Sequence, residues 1–106
     1  ILGVAYKQDI DDYRESPALA VVEILEREGA EVTYFDPWVA RYKHHGKTKE
    51  GIPTLTRETV QAADLVVVTT GHTNVDYSMI QQNAKAIFDT KNAMKMIAER
   101  SNIELL

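Results

Sequence analysis

The chain has 106 residues, 44% of them apolar and 26% charged, with a net charge of −4 and no cysteine. That is enough for one domain around a single core; the acidic balance argues against a nucleic-acid partner, and no apolar run approaches the ~20 residues that cross a bilayer, so no membrane partner is expected. The lack of thiols excludes disulfides and thiolate metal centres and fits a reducing, cytoplasmic setting.

The chain opens on "ILGVA" (1–5), a short apolar run that reads as a strand buried on both faces. It starts without a methionine and already inside this strand, so we expect a domain cut from a longer protein. Ser16 is placed to cap a helix with Pro17 at its first position. Ala18, Val21, Val22 and Leu25 mark its buried face, and Gly29 closes it. "EVTYF" (31–35) predicts a second strand, stopped by Asp36-Pro37. Residues 37–55, rich in lysine and glycine, read as a loop. Thr56 predicts the cap of a short helix over 56–63, and "LVVVTT" (65–70) a central parallel strand. Asp76 is placed to cap a helix reaching about Asn83, "AIFD" (86–89) reads as a fourth strand, and residues 93–100 as a last helix.

Strands alternating with helices predict an α/β fold of three layers, α/β/α, with a Rossmann-like, doubly wound parallel sheet in one domain. With strand order 2-1-3-4, the switch point falls between the first and third strands, where ligands bind beyond the carboxyl ends. Tyr6, Lys7, Asp36, Gly71, His72, Thr90, Lys91 and Asn92 should gather at that edge. Arg14 precedes the first helix, whose N-terminus favours anions. Two lysines, an arginine and a helix N-terminus together describe a phosphate-binding rim.

Plainer readings stand beside this one. Asp9, Asp11 and Asp12 suit a solvated loop ahead of a helix, and Arg14 suits an ion pair with Asp11 or Glu15. Lys7 and Lys91, taken singly, are ordinary surface lysines, and His72 is a packing residue. Adjacent His44 and His45 lack the spacing of a ligand pair and have no carboxylate partner in the loop, so no metal site is expected. Asp36 ends the second strand where a dinucleotide fold holds a ribose, but no G-x-G-x-x-G follows the first strand. The domain is therefore not expected to cradle NAD by itself.

The stretches "GVAYKQDIDDYRESPAL", "GAEVTYFDPWV", "VVVTTGHTNVDY" and "IFDTKN" together resemble the C-terminal domain of the UDP-glucose/GDP-mannose dehydrogenase family, in order and spacing, from residue 1 to about residue 92. The wording "DIDDYRESPAL" is most similar to enzymes oxidising UDP-N-acetylglucosamine or UDP-N-acetylmannosamine. The resemblance implies a UDP-sugar-binding domain whose parent also has an NAD-binding Rossmann domain and a central dimerising region, and forms a homo-oligomer. It implies oxidation of the sugar's C6 alcohol to a carboxylate in two hydride transfers, through a thiohemiacetal and thioester on a cysteine outside this chain. The chain alone is then inactive. By motif, Tyr6, Lys7 and Lys91 would meet the UDP-sugar, and Arg14 would reach across a cleft to the NAD pyrophosphate. Lys91 stands where the family usually has arginine, which keeps the charge but loses the bidentate fork.

Two other classes share parts of this pattern. A phosphoacceptor receiver domain would use acids such as Asp11 and Asp12 with Thr70 and Lys91, and would bind Mg²⁺. A structural or oligomerisation domain would bind no ligand.

Overall fold

A computed structural model describes all residues, 1–106. Three helices, a three-stranded parallel sheet and an antiparallel hairpin form one α/β domain. In chain order these are α1 (Pro17–Arg27), β1 (Arg41–His44), β2 (Lys47–Glu50), α2 (Arg57–Ala62), β3 (Val66–Val68), α3 (Tyr77–Asn83), β4 (Ile87–Asp89) and β5 (Ile103–Leu105). The sheet runs β3-β4-β5, and Leu2 extends it, bridging in parallel to Val68 on one side and to Phe35 on the other. The spatial order 2-1-3-4 expected from sequence is thus present, although the first two segments meet the sheet only through single bridges.

The caps follow the local chemistry of the sequence. Ser16 accepts the N–H of Ala18, Thr56 that of Thr59 and Asp76 that of Met79. At the far end of α1, Gly29 takes φ +98° while its N–H reaches Glu26 and that of Ala30 reaches Leu25, a paired C-terminal motif suited to glycine. The buried face of α1 is Ala18, Leu19 and Val22, a rotation from the expected stripe that brings Leu19 inward in place of Val21.

Three segments depart from expectation. Residues 41–50, read as loop, form the β1–β2 hairpin, with Tyr42 buried and its neighbours facing out. The turn is His45-Gly46, both at positive φ, the twist that a two-residue hairpin turn requires. Residues 93–100 are turns and not a helix. The buried Asp89 carboxylate accepts the N–H groups of Lys91, Ala93 and Met94, and Arg100 donates to the carbonyls of Met94 and Ile97. Those bonds replace the i→i+4 ladder. The chain then adds β5, which pairs in parallel with β4.

Two apolar clusters fill the interior. Leu2, Val60, Val66, Val68, Ile80, Ile87 and Met94 pack under α2 and α3. Val4, Ala5, Ala18, Leu19, Tyr34, Val39 and Tyr42 pack between α1 and the hairpin. Between the clusters sits the buried Asp36. Its Oδ2 accepts the N–H of Val4 at 2.8 Å and of Ala5 at 3.1 Å, and lies 2.9 Å from His72 Nε2. Its Oδ1 accepts those of Trp38 at 2.8 Å and Val39 at 3.1 Å. Because the Asp9 N–H donates to His72 Nδ1, the ring must carry its proton on Nε2 and donate it to Asp36. One carboxylate therefore takes five donors from three segments of chain.

Removing it should be costly. Asp36→Ala strands the N–H groups of Val4, Ala5 and Trp38 and an imidazole, leaving Val39 only its bond to the Asp36 carbonyl, and is expected to lower the unfolding free energy by about 3 kcal/mol or more in denaturant titrations. Gly3 supplies a second test. It holds φ +88°, and a Cβ there would stand 2.8 Å from Thr70 Cα and closer still to its Cβ. Gly3→Ala is expected to lose roughly 2–4 kcal/mol by the same measurement. A third test uses pH. Burial pushes the hydroxyls of Tyr34, Tyr42 and Tyr77 up to about 12, against about 10 in an unfolded chain. Below pH ~10 both states keep these protons and the full contribution is present. Between about 10 and 12 only the unfolded chain releases them, so stability falls as pH rises. The denaturation midpoint should decline across that window, and Tyr34→Phe should make the decline shallower.

Candidate functional site

The carboxyl ends of the parallel strands open onto a cleft of about 860 Å³. Tyr6 and Lys7, from the loop after Leu2, form one wall. The run Thr69–Thr73, leaving β3, forms the floor, and the turns after β4, with Lys91, Asn92 and Lys95, form the facing wall. Each loop is held from below. Thr70 donates its hydroxyl to Ala5 O at 2.7 Å, and Thr90 donates to Val68 O. Gly71 lets the loops after β3 and β4 abut, since a Cβ there would meet that of Ala93 at 3.1 Å. Tyr77 donates to the carbonyl of His72.

The loop carrying Lys7 is tied to the floor as well. Asp9, at φ +62°, donates its N–H to His72 and accepts both the N–H and the hydroxyl of Thr73 at 2.9 and 2.8 Å. Those two bonds hold the Asp9 carboxyl below the usual range. Asp9 is thus a clamp between the loops and not a solvated acid ahead of α1.

Lys7, Lys91 and Lys95 all line the cleft, and none makes an ion pair within 4 Å. Asp76 is the one acid on the lining, and its Oδ1 accepts the Met79 N–H at the start of α3. Three lysines without an ion-pair partner on one hollow give it a positive lining that favours an anion, and the half-exposed Tyr6 adds an aromatic edge. Lys95 escaped sequence reasoning because it fell in a segment read as helix; the Asp89 bonds are what fold it over the cleft.

Arg14 does not join them. Its side chain is 83% exposed and lies fork-to-fork on Asp12, with Nε and Nη2 at 3.0 and 3.1 Å from the two oxygens. That pairing holds Asp12 low and Arg14 high. The partner is Asp12, not Asp11 or Glu15, because the Asp12 oxygen also accepts the Arg14 N–H and so sets the turn. Of the three cations that sequence grouped into a phosphate rim, the structure brings Lys7 and Lys91 to one cleft and leaves Arg14 off its lining. The α1 N-terminus is also occupied by its own buried Ser16 cap.

Asp36 is no ribose acceptor, since five donors already take both its oxygens. The amides of Val4 and Ala5, which a dinucleotide fold would aim at a pyrophosphate, are among them. Residues 1–106 do not fit NAD as a cradle of their own. The receiver-like trio does not assemble either, with Asp12 on Arg14 and the Thr70 hydroxyl on Ala5. His44 and His45, read as lacking a carboxylate, meet Glu23 of α1 across the hairpin, with His45 Nδ1 at 2.8 Å from its Oε2.

Comparison with known proteins gives this geometry a context. The UDP-N-acetyl-D-mannosamine dehydrogenase of Pyrococcus horikoshii is 36% identical over 100 residues, covering 90% of this chain and 22% of its own length. That of Methanocaldococcus jannaschii is 35% identical over 102 residues, 89% of this chain and 22% of its own. The chain thus spans about a fifth of the length of these relatives. Among solved structures, the UDP-N-acetyl-mannosamine dehydrogenase of S. aureus superposes with a TM-score of 0.71 at 32% identity, over 98% of this chain and 25% of that one. The P. horikoshii enzyme superposes with a TM-score of 0.70 at 30% identity, over 98% and 24%. The sequence profile of the UDP-glucose/GDP-mannose dehydrogenase family, UDP binding domain, matches residues 1–96, and the chain belongs to that family.

Proposed function

We propose that residues 1–106 are the nucleotide-sugar-binding domain of a longer, NAD-dependent UDP-sugar 6-dehydrogenase, and that the diphosphate of the UDP-sugar sits in the cleft between Lys7 and Lys91. The observation that carries this is the convergence of two lysines, distant in sequence, on one hollow at the strand ends with no acid neutralising them. A diphosphate satisfies both, each as a compact charge with rotatable donors. Tyr6 packs against the nucleotide-sugar, and Lys95 adds a third cation on the Lys91 side.

The substrate we favour is a UDP-N-acetylhexosamine, on the names of the relatives that cover most of the chain. The fold we take as the three-layer, doubly wound α/β/α arrangement, supported by the two apolar clusters that Leu2 and Val4 enter separately. The reaction, oxidation of the C6 alcohol to the carboxylate, needs a nucleophilic cysteine that these 106 residues lack. NAD belongs to the remainder of a cytoplasmic, homo-oligomeric parent. Arg14 is the residue we assign to meet that NAD across the domain boundary, because its guanidinium is presented to solvent on a fixed fork.

The test is titration of UDP, a UDP-sugar and NAD separately into the chain, followed by NMR. UDP should move the amide signals around Lys7, Gly71 and Lys91. Lys7→Ala and Lys91→Ala should each weaken UDP binding about tenfold, the loss of one charge-assisted contact. Lys91→Arg should retain binding. NAD alone should leave these signals in place. Perturbation by NAD and not by UDP would reverse the roles assigned here.

A further inference from the structure

The hairpin turn packs against α1 through a second cluster, on different residues from the cleft. Glu23 of α1 faces His44 and His45, with its Oε2 at 2.8 Å from His45 Nδ1 and 3.7 Å from His44 Nε2. Neighbouring residues on a strand point to opposite faces. Here His45 takes φ +50° in the turn, which swings its ring beside that of His44, the two stacking at 3.8 Å between centroids. Two imidazoles and a carboxylate thereby face one point, with all three ligand atoms within 4.8 Å of one another. His44 Nε2 is buried and has no hydrogen-bond partner, being too far from Glu23 to form one. Arg27 occupies the other oxygen, Oε1, and so leaves Oε2 turned to the histidines.

We propose that Glu23, His44 and His45 bind one divalent transition-metal ion of the zinc type. Two nitrogens and one carboxylate oxygen are the donors such an ion prefers, and a water completes its tetrahedron. The ion takes the place of the proton now shared between His45 and Glu23 and gives the orphan His44 nitrogen a partner. Ligand atoms about 3.3 Å apart suit Zn²⁺ bonds of ~2.0–2.1 Å, so the rings need only small rotations from the present spacing. Bound there, the ion would staple the β1–β2 turn to α1, on a part of the surface that the UDP proposal does not use.

The experiment is calorimetric titration of Zn²⁺ alone into the chain, with the imidazole signals followed by NMR. The chain has three histidines, so the spectrum separates the outcomes without any substitution. One equivalent of Zn²⁺ should bind saturably, moving the rings of His44 and His45 and leaving buried His72 in place. Co²⁺ should give the visible absorption of a four-coordinate ion. His44→Ala, His45→Ala and Glu23→Gln should each weaken binding at least tenfold, and Arg27→Ala should not. Zn²⁺ should also raise the thermal midpoint of the parent chain, a gain absent in the His44→Ala/His45→Ala double variant. No saturable binding, perturbation of His72 alone, or undiminished affinity in the double variant would each overturn the assignment.

Discussion

A buried carboxylate is stable only if its lone pairs are met, and Asp36 meets that demand entirely with backbone amides and one neutral imidazole. The consequence spreads through the strand ends. Val4 and Ala5 are fixed where the first segment leaves the sheet, Trp38 and Val39 where the second does, and His72 where β3 does. His72 then hands its other nitrogen to the Asp9 amide, and Asp9 turns its carboxylate on Thr73. The loop bearing Lys7 is thus referenced to the loop beneath the cleft by a chain of short bonds. Losing Asp36 or His72 leaves buried groups without a partner, so the inner part of the network behaves as one unit, while the Asp9–Thr73 bonds at its outer end are exposed.

Asp89 repeats the device at the end of β4. Fully buried, it accepts three backbone N–H groups and no cation, and in doing so bends residues 91–97 over the cleft. Both interior acids are therefore neutralised by dipoles and not by lysines. This distribution is what leaves Lys7, Lys91 and Lys95 unpaired at the surface of the hollow. Had either acid recruited a lysine as its counter-ion, the cleft would carry less positive charge and the recruited side chain would be anchored away from any ligand. The fold's internal accounting of hydrogen bonds and the electrostatics of the site are one problem with one solution.

Much of this could be read from residues in order. Ser16-Pro17, Thr56 and Asp76 announced three helix starts because capping is a local interaction between a side chain and amides two or three residues on. The valine run of β3 was legible because burial on both faces leaves few alternatives. What failed was what depends on partners far away. The β1–β2 hairpin hid behind lysines and a His-Gly turn, and its one buried position, Tyr42, owes its place to Tyr34 and Tyr13. Residues 93–100 have helix-forming composition, yet Asp89 outbids the helical ladder for their amides. His72 looked like a lone packing residue because neither Asp36 nor Asp9 is near it in sequence. Glu23 was separated from the two histidines by the whole of the second strand segment.

The clearest mismatch concerns Arg14, and its physical basis bears on how the domain would work within a longer chain. Sequence grouped it with the two strand-end lysines because it stands just before the N-terminus of the first helix, which favours anions. Its fork on Asp12 instead fixes the guanidinium outside the cleft, with most of its surface in water. An exposed ion pair of this kind adds little to stability, because holding two side chains together costs entropy; what it sets is direction, with the guanidinium turned to Asp12 and away from the cleft. Under the proposed function that orientation separates two tasks. The lysines, unpaired on the cleft lining, meet a diphosphate delivered there, while the arginine, forked on Asp12 and turned outward, meets a second anion brought by another domain. Lysine at position 91 suits the first task, where a rotatable point charge suffices, and would serve poorly in the second, where a planar fork must keep both Asp12 and a pyrophosphate in reach.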